Sequence, residues 1–430
     1  MMAARATTRS SWTDPTARHA LRNLFDVAVA SADPSRVLGR HLPSKPVGRC
    51  IVVGAGKAAA SMAAAVDVAW PDVDLSGTVV VPYGYAMPAG RITVREAAHP
   101  VPDAASEDAA RIILKAVDGL RPEDLVLVLI SGGGSSVMAL PAEGITLADK
   151  QEVSRLLLAS GLDIRTMNIV RRRLSAIKGG KLLTAAQPAR VVTLGISDIP
   201  GDDMAAIASG PSIPDPTADM DLRHVVAMLG EHLPAAVSAR LLSPALAITP
   251  CPDHDARLIG TPAAALDAAA AAARTMGLYP ILLGDDLEGE SEALGQEMAA
   301  LVRRGVSMPT VLLSGGETTV TLTNQSPGRG GRNTEFVLSL ACALEGRRGV
   351  WALAGDTDGE DGASKAAGAM IAPDTIDRSA AIGLDAHAYL AKHDSATLFD
   401  VIGDLLVTGP TRTNVNDFRA VLVLPSEDQP

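Results

Sequence analysis

Short runs of Val, Ile and Leu recur along this chain, end in Gly, and open into Ala-rich segments with helical spacing. They are Ile51–Val53, Leu125–Ile130, Val191–Leu194, Ile281–Leu283, Val311–Leu313 and Val350–Leu353. A strand that is apolar on both faces has no solvent side, and alternating β and α segments cover both faces of a parallel sheet with helices. The expectation is an α/β protein: an N-terminal doubly wound, Rossmann-like, mostly parallel sheet, followed by a smaller C-terminal α/β domain. The second sheet is expected to be mixed, because residues 404–409 and 417–424 flank a turn-rich stretch and read as an antiparallel hairpin. A length of 430 residues suits two domains. The stretch from Leu233 to Pro262 holds five prolines and little periodicity, which places the boundary near residue 255 and gives domains 1–255 and 256–430.

Composition narrows the function classes. The chain carries 38 basic against 49 acidic residues, a net charge of -11, and only 3% aromatic residues. It therefore lacks both the basic footprint and the stacking platform of a nucleic-acid binder. Cys50, Cys251 and Cys342 are scattered and form no C-x-x-C pair, so neither a disulfide framework nor a zinc site is expected. No apolar stretch reaches the ~18–20 residues of a membrane span, and no apolar region follows the basic N-terminus. A cytoplasmic enzyme acting on a small molecule is the expectation, without a membrane partner; a homodimer is compatible with the sequence.

The residues able to carry chemistry gather where strands end. VVGAGKAAA puts Gly54, Gly56 and Lys57 at a strand-to-helix turn, where bare glycines let an anion approach backbone amides and Lys57 adds a full charge. Gly54-x-Gly56-x-x-Ala59 also satisfies the dinucleotide fingerprint, but the next strand, GTVVVPYGY, offers no acid at its end for a ribose hydroxyl. A Walker A loop is absent. Ser131, Gly132, Gly133, Gly134, Ser135 and Ser136 follow a wholly apolar strand and can wrap phosphate oxygens by main-chain donation. Downstream, Arg171, Arg172 and Arg173 read as a solvated helical face, whereas Lys178 stands directly before Gly179-Gly180. Ser175-x-x-Lys178 fits a serine acyl-enzyme motif whose companion motifs are missing.

Two acidic loops follow strands: Asp198, Asp202 and Asp203 in one, and Asp356, Asp358, Glu360 and Asp361 in the other. Carboxylates there suit Mg²⁺ or a general base, and Asx-turns are the plainer alternative. Arg332, in GRGGRNTE, stands at the start of a long apolar helix, where its fork of donors can serve whatever that helix end binds. His99, among prolines, reads equally as a packed loop residue or a site residue. Anion cradles, one Lys, one Arg and carboxylates are the parts that phosphoryl transfer needs.

The same residues carry a family resemblance. GAGKAA, LISGGGSS, NIVRRRLSAIKGGKL, SDIPGDD with ASGPS, SGGETT, GRGGRNTE, DTDGEDG and TGPTRTNVND together resemble the class II glycerate 2-kinases, whose C-terminal part is the MOFRL domain. The likeness runs from about residue 17 to 424. It implies ATP- and Mg²⁺-dependent phosphorylation of D-glycerate at its 2-hydroxyl, in a cleft between two α/β domains. It also implies catalytic roles for Lys57, Asp198 and Arg332. Gly54, Gly56, Ser131–Ser136 and Lys178 are then phosphate-binding, and Asp356 with Asp358 metal-binding. Two alternatives stay open: an NAD(P)H-dependent hydroxypyruvate reductase, a label some relatives carry, and a non-catalytic sugar-acid binding protein.

Overall fold

The computed structural model describes residues 12–244, 254–322 and 328–425. Cys251 and part of the proline-rich segment lie outside these. The chain forms two compact units, each discontinuous in sequence: Val29–Pro262 with Pro410–Val415, and Met1–Ala28 with Ala263–Gly409 and Asn416–Pro430. The expected single cut near residue 255 differs from this division, which falls at Pro262 and is crossed again by both ends of the chain. The exchanged pieces are short, so no shift in composition marks them.

The first unit holds a six-stranded sheet: β1 (Cys50–Ala55), β2 (Leu75–Pro82), β3 (Thr93–Ala97), β4 (Leu125–Ile130), β5 (Arg190–Ile196) and β6 (His254–Gly260). Their order is β3-β2-β1-β4-β5-β6, with every neighbouring pair parallel. Every residue of β1 and of β4 is buried, as two-sided apolar strands require. The covering helices are rich in alanine: Ala59–Ala69 buries Ala59, Ala60, Met62, Ala63 and Val66, and small side chains let a helix lie close to a sheet. The order reverses between β1 and β4, and in open α/β sheets ligands sit beyond the strand ends at such a switch point.

The second unit carries β7 (Tyr279–Leu282), β8 (Thr310–Ser314), β9 (Val350–Asp356), β10 (Gly368–Ile371), β11 (Leu405–Leu406) and β12 (Asp417–Val423). Their order is β11-β10-β9-β12-β8-β7, with β7 and β8 parallel and every other pair antiparallel. The mixed sheet is as expected; the hairpin is not. β11 pairs with β10, and β12 lies between β8 and β9. β12 is buried along its whole length, so it needs a central position, and the loop Pro410–Val415 before it belongs to the other unit. Helix Arg332–Leu344 buries Phe336, Val337, Leu338 and Leu340. Among the described residues no helix is long and apolar enough to cross a membrane.

Candidate active site

At the switch point of the parallel sheet, the ends of β1 and β4 are stitched together by backbone. Lys57 N–H donates to the Gly132 carbonyl at 2.9 Å, Ser131 N–H to the Ala55 carbonyl at 3.1 Å, and Ala58 N–H to Ser131 Oγ at 3.0 Å. Gly56 has φ +125°, and a Cβ there would lie 2.4 Å from both the carbonyl oxygen and Oγ of Ser131. Glycine is thus required for the two strand ends to meet.

Four polar side chains converge on the Gly132-Gly133 turn. A Cβ on Gly132 would lie 1.8 Å from Asp198 Oδ2 and 2.7 Å from Asn414 Nδ2. One on Gly133 would lie 3.2 Å from His99 Cδ2 and 3.6 Å from Lys57 Cγ. Asp198, just past β5, accepts a bond from Asn414 Nδ2 at 3.0 Å. Asn414 arrives on the loop Pro410–Val415, which is anchored by Ser61 Oγ donating to the Arg412 carbonyl at 2.6 Å and Thr413 Oγ1 donating to the Ala32 carbonyl at 2.8 Å.

The Ser135 end of the loop meets a different environment. Lys178 is buried; its Nζ donates to the Ser135 carbonyl and to Ser135 Oγ, the latter at 2.9 Å. Ser135 Oγ shares a 2.8 Å bond with Ser209 Oγ. Burial, then Lys150 and Arg171, hold the Lys178 ammonium well below the usual lysine range. The expected solvated face of arginines is corrected here. Arg172 and Arg173 are only 6% and 8% exposed. Arg172 pairs with Asp215 at 2.8 Å, and Arg173 donates to the Ser243 and Met220 carbonyls at 2.8 and 3.1 Å. Carbonyl acceptors in the loops 215–220 and 243 let the basic run turn inward.

In the mixed-sheet unit, Arg332 opens its helix as expected, but its fork is taken up by carboxylates. Nε donates to Asp417 Oδ1 at 2.9 Å, one terminal nitrogen to Glu317 at 2.7 Å and the other to Asp356 at 2.7 Å. Burial alone would lower the guanidinium, but Asp417, Asp356 and Glu317 outweigh it and raise it. Asp417 also binds Arg419, which is wholly buried and lies over the Phe336 ring. Asp361 caps the helix, accepting the amides of Asn333 and Thr334 at 2.9 Å, and burial pushes it up to about 6. Asp356 and Asp358 each close an Asx-turn, on the amides of Asp358 and Glu360 at 3.0 and 2.8 Å. Among the described residues no group of three or more His, Cys, Asp or Glu is arranged to hold a metal ion.

Of the sequence candidates, the structure brings Lys57, Gly56, Ser131–Ser136, Asp198 and Lys178 together in one unit, while Arg332, Asp356 and Asp358 share the other. Gly54 sits inside β1, where a Cβ would lie 2.2 Å from the Leu129 carbonyl; its role there is close strand packing. Residues that sequence reasoning did not single out include Asn414, Ser209, Lys150, Glu317 and Asp417. The closing motif TNVND holds Asn414 and Asp417 and was the available signal for both.

The family described as a domain of unknown function, DUF4147, matches residues 20–242, and the MOFRL family matches residues 310–417. A D-glycerate 2-kinase of Thermotoga maritima is 36% identical over 408 residues, covering 92% of this chain and 96% of its own. The chain belongs to the class II glycerate 2-kinase family. The crystal structure of a Thermotoga maritima glycerate kinase superposes with a TM-score of 0.86 at 35% identity, over 95% of this chain and 100% of that one. Within the family, an Agrobacterium vitis protein that carries a hydroxypyruvate reductase name is 55% identical over 424 residues, 96% of each chain.

Proposed function

We propose that the chain transfers the γ-phosphoryl group of ATP to the 2-hydroxyl of D-glycerate, giving 2-phosphoglycerate. The observation that carries this reading is the convergence of Lys57, the Gly132-Gly133 turn and Asp198 at the switch point of the parallel sheet. Phosphoryl transfer is catalysed mostly by positioning and by neutralising charge on the moving group. Lys57 supplies that charge. The Ser131–Ser136 loop supplies main-chain donors, with Lys178 holding its Ser135 end in place. Asp198, oriented by Asn414, accepts the proton of the attacking hydroxyl or faces the metal. Arg332 is the second cation that the family resemblance marks for catalysis, and its three carboxylate partners fix its plane.

Mg²⁺ keeps most of its water and arrives on phosphate oxygens, so it needs only one or two protein carboxylates. Asp356 and Asp358, tied by the amide bond between them, would provide that number, and the ion would neutralise phosphate charge. Parallel-sheet order β3-β2-β1-β4-β5-β6 is also that of dinucleotide-binding domains, and this favours the reductase as a second reading. Against it, β2 ends in Val81-Pro82 and runs into Tyr83-Gly84 with no acid of its own, and Glu96 of β3, which reaches this turn, is taken up by the Gly84 amide at 2.7 Å. An assay coupled through enolase tests the first reading, because enolase consumes 2-phosphoglycerate but not the 3-isomer. Signal without added phosphoglycerate mutase is the expected result; signal only with the mutase would overturn the 2-position, and no ADP formation would overturn the kinase.

A further inference from the structure

Lys57 and the Ser131–Ser136 loop follow β1 and β4, which are neighbours in the sheet, so they meet without a detour. His99 comes from farther away. It follows β3, the edge strand, which lies three places from β4 in the order β3-β2-β1-β4, roughly 14 Å at the usual strand spacing. Its imidazole nevertheless lies on the Gly133 turn: Cδ2 and Nε2 stand 3.2 and 3.3 Å from where a Gly133 Cβ would be, and Lys57 Cγ stands 3.6 Å from the same point. Gly133 has φ +77°, and its lack of a side chain lets the ring edge and the Lys57 stem approach the same side of the turn.

The loop that carries His99 is built to hold it there. Pro100 and Pro102 fix two backbone angles and remove two donors, so this stretch continues neither β3 nor the helix Ala104–Ala116. The chain is tied on both sides of the histidine: Ala98 N–H donates to Asp103 Oδ1 at 3.3 Å, Ser136 Oγ to the Pro100 carbonyl at 2.7 Å, and Gln151 Nε2 to the Pro102 carbonyl at 2.7 Å. Asp103 is itself fixed, accepting the Ser106 amide at 3.0 Å and the Tyr83 hydroxyl at 2.9 Å. The Ser136 bond ties the position of His99 to the Ser131–Ser136 loop. His99 is nonetheless exposed. An exposed imidazole adds little to a core, so bonds that fix the backbone around it serve what the ring can bind.

We propose that His99 contacts the ligand of this centre, its Nε2 edge meeting an oxyanion of that ligand, phosphoryl or carboxylate, beside Lys57. The two side chains divide the work. A lysine ammonium brings charge on a flexible stem, whereas an imidazole presents a nitrogen in one plane and so sets the orientation of the oxygen that it meets. The inference rests on the kinase reading for the identity of the oxyanion, and it deepens that reading by a residue from a third strand end. Its binding arm needs no turnover.

The test compares wild type, His99→Phe and His99→Gln in the full chain, by steady-state kinetics with D-glycerate and Mg²⁺-ATP and by calorimetric titration with D-glycerate and with ADP. Phe keeps a flat ring against Gly133 and loses the nitrogens; Gln restores a polar nitrogen. His99→Phe is expected to melt near the wild-type temperature and to lose roughly 10- to 100-fold in kcat/KM, with about fivefold recovered in His99→Gln. If the Phe variant does not fold, His99→Ala takes its place. A rise in KM and Kd for D-glycerate puts the contact on the carboxylate; a fall in kcat or weaker ADP binding puts it on the phosphoryl groups. His99→Phe within about threefold of wild type in every constant would overturn the contact, as would a His99→Gln no better than His99→Phe. If wild type forms no ADP but His99→Phe still weakens D-glycerate binding, the kinase reading falls and the contact stands.

Discussion

The two sheets each gather charged groups at strand ends, and they do so by opposite means. In the parallel-sheet unit the centre is made of backbone: glycines let β1 and β4 touch, and Lys57, Asp198 and Asn414 press against the turn they create. In the mixed-sheet unit the centre is made of side chains, and Arg332 is bound by Asp417, Asp356 and Glu317. The difference teaches that the first centre owes its shape to close backbone contact, whereas the second owes part of its order to ion pairing.

Breaking the second centre gives the largest expected effect on the fold. Arg332→Ala leaves Asp356 buried without this cation and Asp417 with Arg419 alone, which should cost about 3 kcal/mol in urea unfolding. That is the low end of the range for a broken buried pair, since Arg332 keeps 26% of its side-chain surface in water. Lys57→Ala should do the reverse, lowering kcat by on the order of 10²-fold or more while unfolding at nearly the wild-type urea concentration. If Lys57→Ala unfolds early and Arg332→Ala does not, the contrast between the centres is wrong.

A smaller probe sharpens the first centre. Gly132→Ala must push the Asp198 carboxylate aside, because the new methyl would stand 1.8 Å from Oδ2. Turnover should fall between roughly 10- and 100-fold through misplacement alone, with circular dichroism and melting temperature close to wild type. Full activity in Gly132→Ala would remove Asp198 from the chemistry.

The smallest effect is in pH dependence. Burial, then Lys181 and Arg171, push Lys150 down to about 8 against the pull of Glu107, from 10.5 in the unfolded chain. The native state therefore releases this proton first, and from pH 8 to 10.5 the unfolded chain binds more protons than the native one. Stability contributed at this residue rises with pH across that window. Lys178 and Lys181 are shifted in the same direction, so Lys150→Met should make the rise shallower rather than abolish it. Arg332, raised by its carboxylates, does not titrate there. Urea unfolding at pH 8, 9 and 10 for wild type and Lys150→Met checks this, and parallel curves would contradict it.

The parallel sheet and its loops were legible because they are local. Two-sided apolar strands dictate helices on both faces, and Gly56, Lys57 and Ser131–Ser136 lie within a few residues of their strand ends. What sequence could not show was built by contacts between distant segments. Asn414 reaches Asp198 from a loop 216 residues away, and Arg332 finds Asp417 across 85 residues. The hairpin expected at 404–424 failed for the same reason: local turn signals were read correctly, but β12 pairs by its two-sided burial and not by its neighbour in sequence. Lys150 gave no signal, since one lysine in an amphipathic helix is ordinarily a surface residue.

On the proposed function, the strand-end centre of the parallel sheet moves a phosphoryl group and not a hydride. The most direct measurement sets two reactions of the purified chain side by side, D-glycerate with ATP and Mg²⁺, and hydroxypyruvate with NADH, each repeated with Lys57→Ala. ADP and 2-phosphoglycerate are expected in the first reaction, with their loss in Lys57→Ala, and no NADH consumed in the second. Oxidation of NADH by hydroxypyruvate, with ATP left intact beside D-glycerate, would contradict it.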